Sequence, residues 1–209
     1  MTPPSVTPPS GRLDRTTIAA RLQDFPRRPA DRPDLRQAAV AVCVTEHHGA
    51  PALLITRRAA RLRAHAGQWA LPGGRREPGE TAVDGALREM QEEVGLVLAA
   101  TDVLGLLDDY VTRSGYVMTP VVCWAGDVGD VVGSVDEVAA VHQVPLAELD
   151  VEPRFLRIPE SDAPVIQLPL FGGYLHAPTA AVVHQFCQAA CHGRVTRVAH
   201  LEQPVFAWR

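Results

Sequence analysis

Three glutamates, Glu89, Glu92 and Glu93, follow Arg88 in the run Arg88-Glu89-Met90-Gln91-Glu92-Glu93. On a helix the i, i+3 and i+4 spacing gathers their carboxylates along one side. Like charges so placed destabilise a bare helix by roughly a few tenths of a kcal/mol per pair. A hard divalent cation removes that cost, because Mg²⁺ prefers carboxylate oxygens and keeps several of its waters. The alternative is a solvated acidic face paired with Arg88. Glu80, one loop upstream, either reaches the same cluster or orients Arg88.

The flanking residues predict the elements that would hold this set. Residues 81–94 read as a helix: Thr81 with Asp84 makes a capping box, and Gly95 stands where a left-handed C-terminal stop belongs. Ala82, Val83, Ala86, Leu87, Met90 and Val94 fall on one apolar side. Before the helix, Leu71-Pro72-Gly73-Gly74 follows an apolar run. Paired glycines let a backbone approach a ligand or ion closely, and the same residues also suit a plain strand-to-helix turn. Further upstream, Arg57, Arg58, Arg61 and Arg63 are clustered. Guanidinium groups offer bidentate donors to phosphate, although such clusters also occur as exposed basic segments without a ligand.

Gly74, Glu80, Arg88-Glu89, Glu92-Glu93 and Gly95 together match the Nudix box, so the chain resembles a Nudix hydrolase. The segment leading into the box resembles the signature of the coenzyme A pyrophosphatases in that family, through Thr56, Arg58, Ala59, Arg63, Gly67 and Pro72-Gly73-Gly74. Ile55 stands where Leu is common, and Leu71 where Phe is common, which removes an aromatic ring. Weaker similarity runs through residues 109–116, Thr119-Pro120, Asp136-Glu137-Val138 and Thr179-Ala180.

The resemblance implies an α+β fold, an α/β/α sandwich with a mixed central sheet between helices. It implies Mg²⁺ or Mn²⁺ held by Glu89, Glu93 and Glu92, with a backbone carbonyl near Gly73 assisting. Glu92 is either a ligand or the base, and Arg88 belongs to the catalytic set. Glu137 is a further base candidate from outside the box, or a surface turn residue. Arg58, Arg63, Gly67 and Gly74 are the expected substrate contacts, with Arg57 and Arg61 undecided. The small-molecule substrate would be coenzyme A or acyl-coenzyme A, cleaved to 3′,5′-ADP and (acyl-)4′-phosphopantetheine. The alternatives are ADP-ribose, a dinucleotide or a nucleoside triphosphate as substrate, and a non-catalytic Nudix-fold sensor.

Composition bounds these readings. With 209 residues, 46% of them hydrophobic, the chain suits a globular domain with a full core. A net charge of -4 gives no support to nucleic-acid binding through phosphate contacts. All 20 basic residues are Arg. No apolar run reaches membrane-spanning length and no signal peptide opens the chain, so a cytoplasmic setting and no membrane partner are expected. Cys43 and Cys123 sit in apolar runs as expected buried thiols. Cys187 and Cys191, near His184 and His192, lack a zinc pattern.

Residues 1–10 read as a disordered tail, 11–35 as an N-terminal helix and linker, and 36–209 as the Nudix domain. Strands are expected over 37–45, 52–56, 99–107, 116–124 and 138–145, with a turn or short helix over 146–149. A hairpin around Phe171-Gly172-Gly173 and a helix over 179–192 follow. Trp69 is expected to pack more than to stack on a ligand, and Tyr110 and Tyr116 line either a pocket or the core. His65 is read as solvated or as a phosphate contact. Residues 195–208 carry scattered apolar side chains that could cover their own domain or a homodimer partner.

Overall fold

The structure, a computed structural model, describes residues 13–59, 67–134 and 136–208. Helix α1 (Arg15–Gln23) starts at Asp14, whose carboxylate accepts the Thr17 N–H at 2.8 Å. Strands β1 (Arg36–His47) and β2 (Ala50–Arg58) form a hairpin across His48 and Gly49, both at positive φ, as a tight hairpin turn requires. Two short strands, β3 (Trp69–Ala70) and β4 (Gly73–Arg75), pair with the end of β2 and the start of β1. Helix α2 (Ala82–Val94) follows. Then come β5 (Val103–Leu106), β6 (Tyr110–Val111), β7 (Tyr116–Gly126) and β8 (Val138–Pro145). The β1–β7 pairing is parallel and the other pairings are antiparallel, giving a mixed eight-stranded sheet.

After α3 (Leu146–Leu149), strands β9 (Arg154–Ile158), β10 (Ser161–Leu170) and β11 (Gly173–His176) make a second, three-stranded sheet. Helix α4 (Thr179–Phe186) runs on through a π-helical turn at Cys187–Cys191.

The central strands are apolar on both faces because both faces are covered. Ala39, Ala41 and Cys43 of β1 pack with Leu54 and Val121 against Ala86, Met90 and Val94 of α2. Val42, Val44, Leu53, Ile55 and Val122 face the opposite layer, formed by Ile18 and Leu22 of α1, Val182 and Phe186 of α4, and Ile166 and Leu168 of the second sheet. The expected sandwich is present, and its second outer layer contains a sheet as well as helices.

Several local expectations change. The 99–107 strand starts only at Val103, because the Asp102 carboxylate accepts the Ala99 N–H at 2.9 Å and winds residues 100–102 into a 3₁₀ turn. The Gly73-Gly74 turn is itself part of β4. The segment 195–208 covers its own domain: Val198 and Leu201 are buried, and the buried Tyr110 hydroxyl donates to the Leu201 carbonyl at 2.8 Å. Tyr110 is therefore a core residue. The Arg/Pro linker is tied down through Asp108, which accepts the Arg28 N–H at 2.7 Å and pairs with Arg197 at 2.8 Å.

Candidate active site

The N-terminus of α2 carries the capping box read from the sequence: Thr81 Oγ1 accepts the Asp84 N–H at 3.1 Å, and Asp84 Oδ2 accepts the Thr81 N–H at 3.0 Å. The helix stops at Gly95, which is left-handed with φ 74°. Between these ends the helix buries its apolar side and turns Glu89 toward Gly74 of β4 and Glu93 toward Gly73 and Arg58, with Glu92 on the outer rim against Arg88. Glu93 is buried, Glu89 half-buried and Glu92 exposed.

Arg88 knits the upper part of this face. Its guanidinium donates to Glu80 Oε1, Glu89 Oε1 and Glu92 Oε2, each at 2.8 Å, and to the Arg75 carbonyl at 3.1 Å. The hydrogen bonds from Arg88 and from the Glu77 N–H hold the Glu80 carboxyl below its ordinary pKa. Glu89 goes the other way, because burial outweighs the help of Arg88.

Glu93 lies deeper. Burial first, then the charge of Glu89, push its pKa up to about 7, against the opposing pull of Arg58 and the Gly73 N–H. That N–H donates to Glu93 Oε2 at 3.3 Å, and Arg58 Nη1 stands 3.9 Å from Glu93 Oε1. The Nε of Arg58 is buried without a hydrogen-bond acceptor among the described residues.

The two glycines are needed for space. A Cβ on Gly74 would come 2.3 Å from Glu89 Oε1, and one on Gly73 would come 2.5 Å from the Ala39 carbonyl oxygen. Strand alternation separates the two adjacent arginines. Arg58 turns toward α2, whereas Arg57 lies over the Trp69 ring at 5.6 Å and donates to the Gly67 carbonyl at 3.3 Å. Gly67, at φ 69°, donates its N–H to the Arg58 carbonyl at 3.1 Å. Glu137 sits at the same end: its carbonyl accepts the Ala59 N–H at 2.9 Å, its side chain is exposed, and its charge helps raise the pKa of both Glu89 and Glu93.

A protein-family model for the NUDIX domain matches residues 35–168, more than half of the chain. The chain belongs to the Nudix family. The Nudix hydrolase NudL of Cronobacter sakazakii is 46% identical over 114 residues, which is 54% of this chain and 59% of that protein. NudL of Yersinia enterocolitica is 42% identical over 99 residues, 47% of this chain and 51% of that protein. The chain thus spans only about half to three-fifths of the length of these relatives. In structure it is similar to a NUDIX hydrolase from Alicyclobacillus acidocaldarius, with a TM-score of 0.54 at 19% identity, covering 76% of this chain and 94% of that one. This likeness is one of fold.

Seen as a Nudix box, the site brings Gly73, Gly74, Arg88, Glu89, Glu93 and Arg58 together, with Glu92 on the outer rim and Glu137 at the far end. Arg63, Arg61 and His65 lie outside the described residues. Glu89 and Glu92 are turned onto Arg88, and among the described residues no three acidic, His or Cys groups stand in metal-holding geometry. Two contributors had no signal in the residue types, because both act through the backbone: the Arg75 carbonyl, which anchors Arg88, and the Ser134 N–H, which donates to the Glu93 carbonyl at 2.8 Å.

Trp69 packs against the rings of His142 and Phe171, at centroid distances of 5.1 and 5.4 Å. Tyr116 lies under the guanidinium of Arg36, 3.9 Å from its ring centroid. All four cysteines are buried, and His192 pairs with Asp150 at 2.7 Å rather than with a thiol. Among the described residues no helix is long and apolar enough to cross a membrane.

Proposed function

We propose that this chain is a divalent-metal-dependent diphosphatase that adds water across the phosphoanhydride of coenzyme A or acyl-coenzyme A, releasing 3′,5′-ADP and (acyl-)4′-phosphopantetheine. The observation that carries the reading is the buried Glu93 carboxylate beside Arg58, a half-buried guanidinium whose Nε has no acceptor among the described residues. A carboxylate so desolvated, with only a long contact from the Gly73 N–H and a guanidinium at 3.9 Å, is costly unless a cation joins it, and the guanidinium's outer nitrogens suit a phosphate oxygen.

The donor set fits Mg²⁺ or Mn²⁺, being all oxygen, with Gly74 leaving room for the Glu89 carboxylate. Glu89 and Glu93 would hold the ion, assisted by Glu92 and the backbone at Gly73. When bound, the ion neutralises charge on the phosphate oxygens and acidifies a water. Arg88 keeps Glu80, Glu89 and Glu92 in register. Arg58 binds an oxygen of the diphosphate, as does Arg63. Glu137 or Glu92 takes the proton as water attacks phosphorus in line. The choice of coenzyme A rests on the upstream signature at Thr56, Arg58, Ala59, Arg63 and Gly67.

The test is turnover of coenzyme A, ADP-ribose, NADH and a nucleoside triphosphate with Mg²⁺ or Mn²⁺, with products resolved by chromatography. The expected result is 3′,5′-ADP from coenzyme A, abolished in Glu93→Gln and weakened in Arg58→Ala. Preferential turnover of another substrate overturns the choice of coenzyme A. No turnover of any overturns the enzyme reading in favour of a ligand sensor.

A further inference from the structure

The hairpin between β10 and β11 turns in two residues, Phe171 and Gly172, flanked by the Leu170–Gly173 pair. Both central residues have positive φ, 47° and 74°, as a tight turn of this length requires. For Phe171 that conformation is disfavoured, because the Cβ of an L-residue crowds its own backbone there. The pair that suits such a turn is Asn-Gly. Burial does not account for the phenylalanine either, since it is 55% exposed. A bulky residue held left-handed at the surface directs attention to what its side chain reaches.

The ring reaches the first sheet. Its centroid stands 5.4 Å from that of Trp69 in β3 and 5.1 Å from that of His142 in β8, and the Trp69 and His142 rings lie 5.1 Å apart. These are contact distances for aromatic pairs, so the three rings form one cluster across two sheets. With the Arg57 guanidinium also over its ring, Trp69 is held by side chains from β2, β8 and the β10–β11 turn.

Strand β3 depends on such an anchor, because a ladder two residues long is marginal by itself. The backbone around Trp69 also holds Arg58. Gly67 donates its N–H to the Arg58 carbonyl at 3.1 Å, and the Arg58 N–H donates to the Gln68 carbonyl at 2.9 Å. The Thr56 hydroxyl donates to the Ala70 carbonyl at 3.1 Å. Further along the same segment, the Gly73 N–H meets Glu93.

We propose that Phe171 is a positioning residue: its ring clamps Trp69 and, through the β2–β3 pairing, fixes Arg58 for an oxygen of the diphosphate. This rests on the diphosphatase reading, in which Arg58 contacts the substrate. Phe171 lies beyond the residues 35–168 that match the family model, so the second sheet contributes to the site from outside the matched domain.

The experiment uses the full chain with Mn²⁺ and measures calorimetric binding of inorganic diphosphate beside turnover of coenzyme A. Phe171→Asn removes the ring and gives the turn the residue it favours, so Tm is expected to stay within a few degrees of the parent. Diphosphate affinity is expected to fall about fivefold, the order of a coupling between neighbouring side chains, with KM for coenzyme A rising by a similar factor and kcat within about twofold. His142→Ala, which takes a ring from Trp69 without touching the turn, is expected to weaken diphosphate binding in the same way. Phe171→Tyr keeps the ring and is expected to retain most of the affinity. In an Arg58→Ala background, Phe171→Asn is expected to cost nothing further. Unchanged diphosphate affinity in Phe171→Asn, or an equal further loss in the Arg58→Ala background, overturns the assignment. A loss for coenzyme A with none for inorganic diphosphate also overturns it, because the exposed ring would then touch the nucleotide itself. If coenzyme A is not hydrolysed but diphosphate affinity still depends on Phe171 through Arg58, the catalytic reading falls and the positioning role stands.

Discussion

Burial and the neighbouring Glu89 charge raise the Glu93 pKa to about 7, so the metal-free protein carries a destabilising group there. The folded-state pKa lies above the unfolded value of 4.5, so the penalty is absent well below pH 4.5, grows as pH rises from there to about 7, and is constant above that. Glu93→Gln is therefore expected to stabilise chelator-treated protein by about 1–3 kcal/mol at pH 8 and by much less at pH 5. Denaturant midpoints at the two pH values test this; a variant less stable at pH 8 would refute it. The glycines give a second residue-level contrast. In Gly74→Ala the new methyl meets the tip of Glu89, which can swing aside, so activity is expected to fall at least tenfold with little change in Tm. In Gly73→Ala it meets the Ala39 carbonyl and Val40 Cα, which cannot, and about 1–3 kcal/mol of stability is expected to be lost. Equal Tm values for the two variants would sink this distinction.

Among the elements, α2 depends on its caps as well as on its packed face. Thr81→Ala removes the hydroxyl that accepts the Asp84 N–H, and is expected to cost about 1 kcal/mol and a few degrees of Tm. With the Glu residues unmoved, kcat at a temperature well below Tm is expected to stay within about twofold; a large kcat loss would show that the cap also positions the site. This helix was legible from sequence because cap, apolar period and stop all act within a few residues of one another. The glutamate face was legible for the same reason. What escaped depends on distant partners. Strand β4 exists because Gly73 and Gly74 pair with Val40 and Ala39, more than thirty residues upstream. Strand β9 has no apolar alternation and is recruited by β10. The division of Arg57 from Arg58 follows from the position at which β2 ends, which the arginine cluster itself does not encode.

For the molecule as a whole, the question is what holds the C-terminal segment to the Nudix core, since among the described residues no regular ladder does so. Its backbone pairing to β10 is an isolated bridge between Glu202 and Val165. The side chain of Glu202, 5% exposed, joins three parts of the chain: Arg113 in the turn before β7, Ser161 Oγ at 2.8 Å in the second sheet, and the Gln203 N–H at 2.9 Å. Burial raises the Glu202 pKa, but the hydrogen bonds from Arg113, Gln203 and Ser161 outweigh it and leave the carboxyl below its ordinary value. A depressed acid contributes stability above its unfolded pKa of 4.5 and loses it as pH falls through the folded pKa. Arg113 is half-exposed, so solvent screening keeps the contribution to about 1 kcal/mol. Glu202→Gln is accordingly expected to lower stability by about that amount at pH 7, with the gap to the parent protein closing below pH 4.5. Chemical denaturation from pH 3 to pH 7 reads this directly. A gap that stays constant over the whole range would mean that Glu202 acts through packing alone, and that the segment is held by Tyr110, Val198 and Leu201 rather than by charge.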